Sequence, residues 1–453
     1  MHEWLPSPSA HLLWVAAGLI IYVASTRIGH IRRPPASAIA WVVGLILVPY
    51  LWLPLFLVFG QRKLKVASRP VAGSASDAPM HWAAELICGF GLPAPVPTAV
   101  RFHADGGEAL DALWEIIEGA RERLDVSTFL VANDHIGRQL IQRLARRAHA
   151  GVQVRLLVDG AGTWMVRHPS FGPLRRAGGQ IALFHPLLGL RPHGPRNLRN
   201  HRKFVVADGT RLWTGGRNFS AEYFRGDAAR PEPWIDLSFD LRGGVAVAAA
   251  RQFELDWTHQ HGLPNALPAD AGAADGSPAQ FVPSGPDQPE DTAHALLVAA
   301  CFQAKRRLLA VTPYFVPDES LLTALRLAAR RGVHVTLVLP AVSNHRFADF
   351  VRGRALRDLA TAGADIRVVP QMMHAKAVVV DEDLAISGSV NLDARSLLIN
   401  YEAQVAFYGA AEIRWLAQWT EALAARAVPW RNEPVGLWRE IAEGLLLTLA
   451  FQL

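Results

Sequence analysis

Cysteine is scarce in this 453-residue chain, which has only Cys88 and Cys301. They form no C-x-x-C pair and offer no disulfide framework, in keeping with a reducing compartment. Neither a G-x-x-x-x-G-K-[ST] loop nor a G-x-G-x-x-G turn occurs, so the common nucleotide cradles are missing. His259 and His261 in "THQH" have no third and fourth ligands at suitable spacing, and no metal is expected there. Acidic and basic residues are absent from Leu5 to Thr26 and again from Ala36 to Gln61. Each run is long enough to cross a bilayer as a helix, which takes about 20 residues. Glu3 precedes the first run and no Lys or Arg does, which argues against a cleavable signal peptide.

The two runs are read as a transmembrane helical hairpin within residues 1–69, where Pro49 and Pro54 can kink the second segment or make it re-entrant. Arg27, Arg32 and Arg33 lie between the runs, and Arg62, Lys63, Lys65 and Arg69 follow them. The larger count after the second run places the rest of the chain in the cytoplasm. Net charge is +6 and the pI is near 9.6, which suits an anionic partner, and the apolar runs favour lipid over nucleic acid. The 14 Trp are spread along the chain and are read as core or interfacial residues.

What the sequence does contain is a repeat. Residues 201–208 read HRKFVVAD and residues 374–381 read HAKAVVVD. An Asn follows each at the same remove, Asn218 in "TGGRN" and Asn391 in "SGSVN". Upstream, "AHAGVQVRLLVDG" parallels "ARRGVHVTLVLPA", and "ARERLDVSTFLVANDHIG" parallels "AKRRLLAVTPYFVPDES". Two diverged copies of one unit account for this. Each copy reads helix, strand, helix, strand and then a hairpin, which predicts an α/β layered fold. The expected divisions are a linker at 70–95, the first repeat at 96–263, a linker at 264–280, the second repeat at 281–430, and an amphipathic helix at 431–453. That helix puts Leu437, Trp438, Ile441 and Leu445 on one face; it can dock on the core or lie in a membrane interface.

Residues two apart on a strand share a face, so His201 goes with Lys203 and His374 with Lys376. Two-residue turns at Gly209-Thr210 and Glu382-Asp383 would set His201 opposite Asn218 and Lys203 opposite Gly216. They would likewise set His374 opposite Asn391 and Lys376 opposite Ser389. Asp208 and Asp381 then lie about 23 Å along the strand from their own His, where they are expected to organise the turns. A His–Lys–Asn cluster is a poor metal site, because the ammonium repels a cation. It suits a phosphate, with Lys and Asn donating to oxygens while His attacks phosphorus or moves protons. Two copies predict one shared site at a pseudo-twofold interface.

These residues resemble the phospholipase D superfamily, in which two such motifs form one catalytic centre. The stretches "NLRNHRKFVVADG", "TPYFVPDESLLTAL" and "MHAKAVVVDEDLAISGSVNLDARSLLINYE", with the paired apolar segments before them, are similar to bacterial cardiolipin synthases. The resemblance implies two tandem phospholipase D-like repeats in α-β-α layers, with a catalytic set of His201, Lys203, Asp208, His374, Lys376 and Asp381. It implies transfer of a phosphatidyl group between two phosphatidylglycerols, giving cardiolipin and glycerol through a phosphatidyl-histidine. In the family's usual order His201 attacks and His374 handles the proton. No cofactor, metal or nucleic-acid partner is implied, and the location is the bacterial inner membrane, multi-pass. Two departures stand out. Gly216 replaces the Ser389 of the second copy, so the halves should hold phosphate unequally, and Arg217 is a bulky charge beside the first site. Each imidazole also needs a carboxylate to fix its tautomer. Glu402 is assigned to His374, and Asp236 to His201 in preference to Glu222. A hydrolase on the same site and a non-catalytic scaffold binding anionic lipid are the rival readings.

Overall fold

The computed structural model describes residues 7–28, 35–60, 63, 80–186, 197–226, 228, 231–261 and 275–450. The first repeat contributes β1 (Val96–His103), β2 (Arg123–Thr128), β3 (Gln153–Asp159), β4 (Gln180–Phe184), β5 (Phe204–Ala207), β6 (Arg211–Gly215) and β7 (Ser238–Gly243). The second contributes β8 (Ser277–Ser284), β9 (Arg307–Val311), β10 (Phe315–Val316), β11 (His334–Pro340) and β12 (Asp365–Val369). It continues with β13 (Ala377–Val380), β14 (Leu384–Gly388), β15 (Leu392–Asp393), β16 (Glu402–Phe407) and β17 (Val428–Pro429). Among the described residues, fifteen of these form one sheet in the order β17-β12-β11-β9-β13-β14-β16-β8-β1-β7-β6-β5-β2-β3-β4. β1 and β8 pair antiparallel at the centre, with Val96 opposite Ala279. Outward from that pair each half runs through the same succession of strands, so the repeat in sequence is a pseudo-twofold in space.

Local chemistry explains the repeated geometry. β2 and β3 are parallel, as are β9 and β11, which requires a crossover helix. Helices His135–His149 and Glu319–Arg330 supply it, each opened by an Asp. Asp134 accepts from Gly137 N and Asp318 from Ser320 N, satisfying amides that a helix start leaves open. Along β5, Val205 and Ala207 join the apolar core of the first repeat's helices, while Phe204 and Val206 join the large core that spans both halves. Strand alternation thus buries both faces of the sheet, giving the expected α-β-α layers.

The hairpins differ from expectation by one residue. Ala207 pairs with Arg211 and Val380 with Leu384, so the turns have three residues, Asp208-Gly209-Thr210 and Asp381-Glu382-Asp383. Asp208 and Asp381 hold positive φ, 51° and 49°. Their carboxylates accept from the backbone N–H groups of Arg121, Glu122 and Arg123, and of Lys305, Arg306 and Arg307. Each Asp therefore clamps the start of the neighbouring strand rather than its own turn. Those bonds offset the cost of a left-handed residue and fix the longer loop.

At the N-terminus, helix Pro8–Ile28 includes a span, Pro8–Thr26, long and apolar enough to cross a membrane. The second apolar run is not one helix. It breaks at Val48 (φ −141°) into Pro35–Leu47 and Pro49–Phe59, and Trp52 folds back against Gly44. Tyr22, Trp41, Leu45, Leu53 and Phe56 pack the three helices together. Lys63, one of the charges after the second run, donates to the carbonyls of Gly285, Gln288 and Glu290 and lies 2.9 Å from Asp291. That clamp ties the apolar unit to the second repeat. Residues 70–79 and 264–274 of the expected linkers fall outside the described residues, but Trp82–Gly89 is a helix with Ala83 and Ile87 in the core, and β8 begins at Ser277.

The C-terminal helix, Leu437–Ala450, docks on Arg346–Thr361. Buried Glu443 pairs with Arg357 and with Arg439, and Leu446 and Leu447 pack beside Val316, Ala348 and Val351. Leu437, Trp438, Ile441 and Leu445 face outward. Glu443→Ala should lower the unfolding free energy by about 1–3 kcal/mol, because the half-buried Arg357 loses its carboxylate. Leu437→Ser on the outer face should stay within about 0.5 kcal/mol. Denaturant unfolding of the detergent-solubilised protein measures both.

Candidate active site

Each His-x-Lys motif reaches the site on a short extended lead-in that lies against the other half. Asn200 bridges Tyr401 in parallel, with His201 N donating to Tyr401 O at 2.8 Å and Tyr401 N to Arg199 O at 2.9 Å. The second half mirrors this. Ile235 bridges Met373, Ile235 N donates to Met372 O at 3.0 Å, and His374 N to Ile235 O at 2.7 Å. Behind the lead-ins, Thr214 Oγ1 donates to Lys203 O at 2.7 Å and Ser387 Oγ to Lys376 O at 2.8 Å. The hydroxyl that opens "TGGRN" or "SGSVN" thus pins the backbone of its motif lysine.

The carboxylates are exchanged relative to the sequence assignment. Glu402 Oε1 lies 2.9 Å from His201 Nδ1, and Asp236 Oδ2 lies 2.8 Å from His374 Nδ1. The assignment followed neighbouring strands within one half, but Glu402 opens β16 and Asp236 lies two residues before β7, where each chain leaves its own ladder. At that point the nearest strand is the lead-in of the opposite motif. A carboxylate only accepts, so each Nδ1 carries the proton and each Nε2 keeps its lone pair.

The Gly216/Ser389 difference belongs to these carboxylates. Ser389 Oγ donates to Glu402 Oε2 and accepts from Ala403 N at 3.0 Å. At Gly216 a Cβ would run into the Asp236 carboxylate. The longer acid has room for a hydroxyl donor, and the shorter one needs the space of a missing side chain. Arg217 does not sit over the site. It is buried and donates to the carbonyls of Asp236, Tyr223, His103 and Ala104 and to Ser238 Oγ.

Both imidazoles line one cavity of about 490 Å³, together with Asn218, Asn391, Tyr223 and Tyr314. Lys203 Nζ donates to His201 O at 2.8 Å, and Lys376 Nζ donates to His374 O and lies 2.8 Å from His374 Nδ1. Burial, reinforced by Lys203 and Lys376, holds the His201 imidazole below its usual range against the pull of Glu402. Burial and the same two lysines do this to His374 against Asp236. Burial brings the Lys203 ammonium down to about 7 and that of Lys376 to about 8, with Glu402 and Asp236 opposing. Burial would raise both carboxylates, but their imidazole and lysine partners outweigh it and keep them ionised. The centre therefore offers two neutral imidazoles, two lysine amines and two Asn amides, with Lys376 Nζ also 3.1 Å from His374 Nε2. That set can bind a phosphodiester anion and attack it.

Asp208 and Asp381 lie at the far ends of β5 and β13, away from this cavity. His259 Nε2 is 3.2 Å from His185 Nε2, and no metal-holding cluster occurs among the described residues. Sequence reasoning missed several cavity residues, among them Tyr223, whose OH accepts from Asn218 Nδ2 at 3.0 Å, Tyr314, Arg199 and Arg395. Arg199 and Arg395 lie within the stretches that carried the family resemblance, but only the doubled positions had been singled out.

Residues 113–228 and 297–424 match the family described as "Cardiolipin synthase, PLD-like domain". Cardiolipin synthase A of Pseudomonas aeruginosa (strain LESB58) is 33% identical over 444 residues, spanning 91% of this chain and 90% of the relative. Cardiolipin synthase A of Pseudomonas putida (strain W619) is 34% identical over 397 residues, 82% of each chain. Among solved structures, phosphatidylserine synthase of Haemophilus influenzae Rd KW20 shares the fold at a TM-score of 0.61 and 13% identity. The match covers 81% of this chain and 96% of that one.

Two outcomes follow from the crossed pairing. In proton NMR, Glu402→Gln should move the Nδ1–H signal of His201, and Asp236→Asn that of His374, each lowering turnover about 10²–10⁴-fold. The reverse correspondence would restore pairing within one half. Gly216→Ala, which displaces Asp236, should cost about 10²-fold. The lysines set the alkaline side of the pH profile. Because both are lowered, positive charge is lost as pH rises through about 7 and 8, so kcat/KM should fall there rather than near 10. A bound anion restores the ammonium, so the alkaline limb of kcat should lie at higher pH than that of kcat/KM.

Proposed function

Because the chain belongs to the bacterial cardiolipin synthase family of the phospholipase D superfamily, we propose that it converts two phosphatidylglycerols into cardiolipin and glycerol. It is a phosphatidyltransferase by family. The observation that carries the specific reading is the crossed pairing, in which each half supplies an imidazole that only the other half's carboxylate orients. Binding lipid alone would need neither the second imidazole nor either carboxylate.

His201 Nε2 attacks the phosphorus of phosphatidylglycerol. A P–N bond forms, the P–O bond to the head-group glycerol breaks, and the glycerol oxygen takes a proton from His374. The bound phosphodiester anion favours the imidazolium of His374 at this stage, countering the effect of burial. In the second half, His374 takes the proton from a hydroxyl of a second phosphatidylglycerol, that oxygen attacks phosphorus, and the P–N bond breaks. Lys203, Lys376, Asn218 and Asn391 donate to the non-bridging oxygens, supplying charge where the transition state needs it. Ser389 and Gly216 act by holding the carboxylates. One phosphodiester replaces another, so the bond energies nearly balance and no nucleotide enters.

The apolar N-terminal unit keeps the site beside its lipid supply. In this reading it is multi-pass in the bacterial inner membrane, with the repeats on the cytoplasmic side. The bend at Val48 makes the second apolar segment a pair of helices rather than a straight span. Water is present at about 55 M in bulk, so transfer beats hydrolysis only where an alcohol is positioned and water is kept out.

In vesicles of phosphatidylglycerol the intact enzyme should yield mainly cardiolipin and free glycerol. Dominant phosphatidic acid would identify a phospholipase instead. His201→Ala and His374→Ala should each abolish turnover, with the double variant hardly worse than either, because the two act as one unit. Acid quenching during turnover of phosphate-labelled lipid should leave label on His201; label only on His374 would reverse the two roles.

A further inference from the structure

The catalytic centre is symmetric, but the walls of its cavity are not. Beside His201 the cavity is lined by Arg199, Arg395 and Asn400. The repeat places Met372 and Glu222 where Arg199 and Arg395 stand, so among the described residues a second pair of cations is present on one side of the site only. Arg199 is buried, with its guanidinium 3.3 Å from Asp159 and donating to His185 O at 2.9 Å. Arg395 donates to Asn197 O at 2.8 Å, and also reaches Asn197 Oδ1 at 3.4 Å. Burial, then the proximity of Arg199, brings the Arg395 guanidinium down to about 10, while Asp393 and Asp159 oppose. Burial also pushes the Asp393 carboxyl up, weakening its claim on Arg395.

The reaction itself poses a charge problem. Resting on the transferase reading above, the second step brings two phosphorus-centred groups with anionic oxygens into one cavity, the phosphatidyl-histidine and the acceptor's phosphodiester. One reacts at the lysine pair. The other belongs to the accepting lipid and remains unchanged beside a transition state that is itself negative. A water molecule or free glycerol would bring no such charge. We propose that Arg199 and Arg395 bind the non-reacting phosphodiester of the lipid that accepts the phosphatidyl group. Guanidinium groups suit this because their fork of N–H donors matches two phosphate oxygens and keeps its charge when buried. The site selects an acceptor that already carries a phosphate, and its one-sidedness separates acceptor from donor in a symmetric centre.

The test uses the full-length enzyme in phosphatidylglycerol vesicles with added labelled glycerol. Two products are read from the same reaction: label exchanged into phosphatidylglycerol, for which the acceptor carries no phosphate, and cardiolipin. Arg395→Gln should lower the ratio of cardiolipin to exchange by about ten-fold, the loss of one charge-assisted contact. It should also raise the apparent KM for phosphatidylglycerol in cardiolipin formation. Arg395→Lys should recover part of the ratio, and Arg199→Gln should lower it in the same direction. Since both products come from the same folded molecules, partial unfolding leaves the ratio unchanged. An unchanged ratio in both Gln variants, or equal losses in both products, would overturn the subsite. A wild-type enzyme that forms neither product would overturn the transferase reading, and the subsite with it.

Discussion

Two buried imidazole–carboxylate bonds that cross between the halves are the constraint on which the site depends. His201 takes its tautomer from Glu402, and His374 takes its tautomer from Asp236. Neither half holds a complete centre. This explains why the lead-ins before the motif strands lie against the opposite half, and why the central β1–β8 pair closes the two sheets into one. Separating the halves would strand two carboxylates and two ammoniums, all buried. Left unpaired, such groups cost several kcal/mol each. The same chemistry that reacts also makes the two repeats one body.

Charge burial carries a second consequence. Lys203 and Lys376 are like charges enclosed in one seam, and each is held below its ordinary pKa chiefly by lost solvation. A phosphodiester between them would offset that repulsion and favour the charged form of both lysines. Away from the centre, buried charges are paired more fully. Arg202 meets Asp256 and Asp287, while Arg155 and Arg123 share Asp125 and Glu254. Those clusters fix the backbone around the motifs without entering the cavity.

The repeat, the layered α/β class and the two His–Lys pairs were legible because they depend on local pattern: strand alternation, Asp helix caps, and identical motif spacing. The hairpin register was missed by one residue because Asp208 and Asp381 adopt positive φ to reach the backbone of a neighbouring strand. Nothing in the turn sequence announces that distant demand. The carboxylate partners were named correctly but assigned to the wrong imidazoles, since strand adjacency within a half says nothing about what crosses the pseudo-twofold. Pro49 marked a possible kink in the second apolar run, and the helix does break at Val48, immediately before it. For the C-terminal helix, docking on the core was one of two expectations, and the structure shows that docking. Glu443, Leu446 and Leu447 dock it, and the predicted apolar face stays outward.

A duplicated centre raises the question of how a symmetric pair of histidines acquires an order of action. The imidazoles, lysines and asparagines come in matched pairs, so the difference must lie in what surrounds them. His374 sits among aromatic rings, with Tyr223 at 5.0 Å and Trp234 at 6.0 Å between centroids. His201 has Phe129 at 5.3 Å and a carboxylate backed by Ser389. Glu402 therefore divides its acceptor capacity between an imidazole and a hydroxyl, and Asp236 between an imidazole and the Leu237 amide. Duplication supplied two equivalent chemical groups. Differences at a few flanking positions give each half its own electrostatics, and the proposed transfer between two like lipids needs that difference in order to run in steps.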